Sequence, residues 1–192
     1  MTLDLTTASW YLARGSGVTA LVLFSVVVAL GIITRSARPM PGVPRFAVAA
    51  VHSSAALLAT VFLGVHLVTL LFDPYAQLRL LDLVVPFAGA YRPLWLGFGT
   101  LALDLTLAIG VTSLLRARLG ARAWKAVHLS AYALWPLAVL HGLGTGSDAG
   151  TIWLRATTVG CLTGVLAAVA WRRVAVGTGS RWTARSILGG AR

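Results

Sequence analysis

Between Phe46 and Phe72 the chain carries no Asp, Glu, Lys or Arg, and its only ionisable side chains are His52 and His66. A helical bilayer crossing takes about 20 mostly apolar residues, so a run of this kind fits a membrane span and little else. Other runs behave the same way. Trp10–Ile33 has Arg14 near its start and no charge from Val18 onward, and Leu94–Leu115 carries Asp104 alone. Ala126–Leu143 carries His128 and His141, and Thr151–Trp171 has Arg155 near its start. The runs are continuous rather than alternating, which favours helices over barrel strands. Composition agrees: 11% of residues are charged and 58% hydrophobic, against about 25% charged residues in a soluble domain. Such a chain cannot cover a water-facing surface, and it is too apolar to stay disordered. The expected fold class is all-α, a polytopic membrane bundle of five transmembrane helices.

The net charge of +11 invites a nucleic-acid reading. The basic residues, however, stand at the ends of apolar runs and form no basic face with interleaved aromatics, so no nucleic-acid partner is expected. Their distribution instead sets topology. Arg35, Arg38, Arg45, Arg116, Arg118, Arg122, Lys125, Arg172, Arg173, Arg181, Arg185 and Arg192 fall on one side of a five-span arrangement. Arg14, Arg79, Arg92 and Arg155 fall on the other, with Asp4, Asp73, Asp82 and Asp148. Basic residues stay cytoplasmic, which predicts an outer amino terminus, an inner carboxyl terminus and attraction to anionic lipid. Pro39, Pro41, Gly42 and Pro44 mark the first inner loop, and Gly144, Gly146 and Gly150 the last outer one. In the Asp73–Pro93 loop, Leu78–Phe87 is apolar enough to lie in the outer interface but too short to span. Met1–Asp4 lacks the positive region of a cleaved signal, so the first span is expected to stay. Residues 1–175 then form one transmembrane domain and 176–192 a basic cytoplasmic tail. Lys125 is the only lysine among the basic residues, which suits a GC-rich bacterial genome and a bacterial cytoplasmic membrane. Cys161, the single cysteine, can form no internal disulfide and is expected as a small buried apolar residue.

All four histidines fall inside apolar runs, two on the second and two on the fourth. Ionisable groups at membrane depth are costly and point to function. His52 and His66 stand fourteen residues apart, about 21 Å of helical rise, and His128 and His141 thirteen, about 19.5 Å. Members of one run therefore cannot share an ion. The second and fourth spans run parallel, which predicts two cross-helix pairs at two depths: His52 with His128, and His66 with His141. Two facing imidazoles on helices most simply hold a six-coordinate haem. Ala55, Ala56 and Ala59 leave room beside them on the second span. Arg14, Arg92 and Arg155 outside, and Arg45, Arg122 and Lys125 inside, are candidate partners for haem propionates. Trp135 stands between His128 and His141 as a candidate relay or core filler. Asp104 is a candidate proton carrier or partner of a buried polar group, and Gly160 with Gly164 a small-xxx-small pair for a dimer face or for internal helix packing. Thirteen residues miss a common helix face by about 100° at 3.5 residues per turn, and a bend at Pro136 is one way to recover it.

These features resemble the ferric-reductase-like transmembrane family, which includes the NADPH-oxidase membrane domain and resembles the haem-binding subunit of a periplasmic methionine sulfoxide reductase. Beside the histidine spacing, the resemblance extends through residues 10–17, Thr112–Arg116, Trp124–His128, Trp135-Pro136 and His141-Gly142. It implies two b haems, an inner one on His52 and His128 and an outer one on His66 and His141. It further implies electron transfer from a cytoplasmic donor (a flavoreductase or quinol) to ferric iron or an extracytoplasmic redox partner protein. Full-length oxidases append flavin and nicotinamide domains, whereas no glycine-rich dinucleotide loop follows a strand here. The chain is accordingly expected as the haem b membrane subunit of an oxidoreductase. A haem-free transporter or channel using the histidines for metal or protons is the alternative. The clustered histidines of a diiron oxygenase are absent.

Overall fold

The computed structural model describes residues 5–35, 42–73, 78–146 and 148–189, and side chains between 7 and 174. Met1–Asp4, Arg38, Pro39 and Pro41 lie outside the described residues, as do the side chains of Arg181, Arg185 and Arg192. Among the described residues six helices follow in order: α1 (Leu5–Thr34), α2 (Arg45–Leu71), α3 (Pro93–Leu114), α4 (Arg116–His128), α5 (Ala131–Thr145) and α6 (Ile152–Gly189). A 3-10 turn, Leu80–Leu83, sits between α2 and α3. No strand occurs among the described residues. α1, α2, α3 and the Ile152–Val174 part of α6 are each long and apolar enough to cross a bilayer; α4 and α5 qualify only together. The protein is a multi-pass helical membrane bundle.

Prolines open two spans where a missing N–H costs nothing. Pro44 caps α2 in extended geometry, and Pro93 opens α3. Hydroxyls in the apolar helices are satisfied locally: Ser16, Ser25, Thr106 and Thr158 each donate to a carbonyl four residues back. α1 is the hub, packing on α2, α5 and α6, while α3 packs on α5. Val28, Ile32, Val165 and Ala168 form a core cluster between α1 and α6, with Trp135 against it. Gly160 and Gly164 border a groove on the α1 side of α6, and Cys161 is buried beside them.

The structure corrects the fourth span. Arg116–Lys125, expected as a loop, is helical. Gly120, at φ 76 and ψ 162, breaks that helix in a conformation reserved for glycine. The chain bends at Leu129 and Ser130, where α4 meets α5 at 44°. α5 runs through Pro136. His128 and His141 thus belong to different helices, and the thirteen-residue register on a single helix does not arise.

Beyond α2, Arg79 and Asp82 pair at 3.0 Å, and the Thr100 hydroxyl donates to the Asp82 carbonyl. This ties the 3-10 turn to α3 while Leu80, Leu81, Val84 and Phe87 stay exposed.

Candidate functional site

The four histidine rings meet in two couples. His52 and His128 lie with ring centroids 6.1 Å apart, and His66 and His141 with centroids 6.4 Å apart. Among the described residues no group of three or more potential ligands forms a metal cluster. Two imidazoles alone make a poor cage for a bare ion, but they suit a macrocycle that supplies the remaining positions. A metal–imidazole bond of about 2.0–2.1 Å, plus about 1.1 Å from nitrogen to ring centre, puts two rings on opposite sides of one metal about 6.4 Å apart. Both couples match that separation.

Three rings are held by the same device. His66 Nδ1 donates to the Ala13 carbonyl at 2.7 Å, His52 Nδ1 to Val27 at 3.0 Å, and His141 Nδ1 to Trp95 at 3.0 Å. A carbonyl only accepts, so each of these imidazoles carries its proton on Nδ1 and leaves the Nε2 lone pair free. Four residues after each accepting carbonyl stands a glycine: Gly17, Gly31 and Gly99. A Cβ at Gly17 would lie 2.8 Å from His66 Nδ1, one at Gly31 would lie 3.5 Å from His52 Cε1, and one at Gly99 would overlap the His141 ring. Gly17 and Gly99 let an imidazole lie on the neighbouring helix and reach a carbonyl already engaged in it, whereas at Gly31 a Cβ would make only an ordinary contact. Sequence reasoning missed these three residues. The readable signal was that Gly17 and Gly31 share the fourteen-residue spacing of His52 and His66 on an adjacent antiparallel helix.

His128 is held differently. Its Nδ1 is buried with no hydrogen-bond partner. Instead the ring stacks on Trp124, with centroids 4.8 Å apart and planes at 26°. Trp124 donates from Nε1 to Ser113 Oγ at 3.3 Å, and the Arg116 guanidinium lies 4.2 Å from its ring centre.

The other expected residues divide. Arg14, one residue past the His66 carbonyl partner, pairs with Asp148 and lies 3.9 Å from the Trp10 ring centre. Arg92, the αL cap of α3, donates to the Gly144 carbonyl at 2.6 Å, and Arg155 donates to Ala149 at 3.2 Å. Trp135 donates from Nε1 to Ser25 Oγ at 2.8 Å and packs against the α1–α6 cluster. Ala59 is fully buried, while Asp104 is half-buried on α3.

Comparison with known proteins brings one match. The family described as "Ferric reductase like transmembrane component" matches residues 16–139, which include His52, His66 and His128 and end two residues short of His141. No curated protein and no solved structure matches. Domains of this family generally bind haem and serve transmembrane electron transfer. With most of its length matched, the chain belongs to the ferric-reductase-like transmembrane family.

Proposed function

We propose that the protein carries single electrons across the membrane through two b haems, one held by His52 and His128 and the other by His66 and His141. The observation that carries this reading is the common ring separation, 6.1 and 6.4 Å, in two couples at different depths. Haem, when bound, supplies reversible one-electron chemistry at its iron. The chain's own residues would supply imidazole nitrogens to hold it, orientation and an apolar surround. Carbonyl acceptors on α1 and α3 fix three tautomers and raise the basicity of those imidazoles. Arg14, one residue past the Ala13 carbonyl that His66 engages, is assigned to a propionate, and Trp135, packed on the α1–α6 cluster, to the core. In the orientation set by the basic loops, the His52–His128 couple faces the cytoplasm of a bacterial cell. There it would hold a haem on the side of the cytoplasmic donor, a flavoreductase or quinol. The His66–His141 couple would hold one on the side of the acceptor, ferric iron or an extracytoplasmic redox partner protein.

Proteoliposomes loaded with a reductant and bathed in an impermeant ferric chelate test the reading. Ferrous iron is expected outside vesicles holding the wild-type chain and not outside vesicles holding His66→Ala. Metal or proton flux through protein that binds no haem would replace this reading with the transporter.

A further inference from the structure

We infer that Trp124 is the positioning residue for His128, taking over at the fourth ring what a helix carbonyl does for the other three. The inference rests on the haem reading above and adds a residue to it. On α1 the two glycines that admit His66 and His52 stand fourteen residues apart, at 17 and 31. On α3 the glycine that admits His141 is Gly99, and fourteen residues further along stands Ser113, not glycine. The next glycine on that helix, Gly110, has no atom of another helix within 4 Å of where its Cβ would be. The α3 surface therefore offers no glycine seat at the depth of His128.

Ser113 is engaged by Trp124 instead, through the 3.3 Å bond from the indole N–H. That bond, together with the Arg116 guanidinium 4.2 Å from the ring centre, fixes the indole. His128 lies nearly parallel to it at 4.8 Å. Arg116 and Trp124 stand on either side of the break at Gly120, Arg116 before it and Trp124 after it. A stacked ring is fixed in its plane but gains no acceptor at Nδ1, and His128 Nδ1 has none. Without that acceptor the imidazole is a weaker electron donor than its three counterparts. The His52–His128 haem is then the one whose ligand field and potential depend on an aromatic face.

The full chain is purified as wild type and as W124F, W124L and W124A, then read for haem per chain, low-spin electron paramagnetic resonance and redox titration. Trp124→Phe keeps a face and loses the bond to Ser113. It is expected to retain two haems, with one resonance and one midpoint shifted and the other pair unmoved. Trp124→Leu fills space without a face and is expected, like Trp124→Ala, to drop to about one haem, again sparing the second signal. W124L and W124A holding two haems with both signals and both midpoints unmoved would overturn the assignment. So would loss of both haems from W124L and W124A together with two unshifted signals in W124F. Wild-type protein without haem would overturn both this inference and the function it rests on.

Discussion

The two histidine couples reach the same ring separation by different means. At the His66–His141 couple both rings donate from Nδ1 to carbonyls of packed spans, each beside a glycine that a side chain would obstruct. At the His52–His128 couple only His52 is held that way, and His128 leans on Trp124 at the end of a short, broken helix. The first couple is built on rigid span-to-span packing, the second half on an amphipathic segment. A carbonyl anchor fixes tautomer and ring direction together, whereas a stacked ring fixes direction alone. The difference predicts that the couples fail separately and for different reasons.

The largest separation comes from the ligands themselves. His66→Ala and His52→Ala are each expected to remove one haem of two and to abolish transmembrane transfer, read by absorbance and the vesicle assay. The glycine seats come next, in graded order. Gly99→Ala should displace the His141 ring and lower haem at its couple severely. Gly17→Ala should do so less, since His66 would have to give by several tenths of an ångström. Gly31→Ala should be nearly silent, because its Cβ would make an ordinary contact at 3.5 Å. Equal losses in all three would break the seat account.

Gly120→Ala forces a side chain into a glycine conformation and should cost about 1–3 kcal/mol. Its effect belongs at the His128 couple alone, read as reduced thermal stability with the other haem signal unchanged. The smallest effect concerns neither couple. The Arg79 guanidinium, bonded to Asp82, holds that carboxyl below the usual carboxylate range. A depressed carboxyl adds stability above its unfolded pKa and loses it as pH falls through the lowered value. Melting followed from about pH 5 downward should show a slight acid loss that Asp82→Asn lacks.

Much of this was legible in the sequence, for definite reasons. Apolar runs with at most one Asp, Glu, Lys or Arg marked four spans to within a few residues, because an apolar helix in a bilayer has no competing fold. The meeting of His52 with His128, and of His66 with His141, followed from parallel spans and spacings near 20 Å of rise. The fourth span was less readable. Arg116–Lys125 looks like a loop because charge hides its helical periodicity, and neither Leu129 nor Ser130 is a breaker that would mark the bend. Pro136 drew attention by its chemistry, yet α5 absorbs it. The glycine seats escaped because each is defined by a partner on another helix, and a single-chain reading sees only a small residue. Trp124 was visible as part of Trp124–His128, and their four-residue spacing on one helical stretch was the signal for the stack.

Haem per chain, counted chemically on purified protein with each histidine changed in turn, tests the central claim most directly. The account predicts about two in the wild type and about one in each of His52→Ala, His66→Ala, His128→Ala and His141→Ala. Changes within a couple should erase the same signal. A wild-type count of zero, or a count that ignores the histidines, would contradict it.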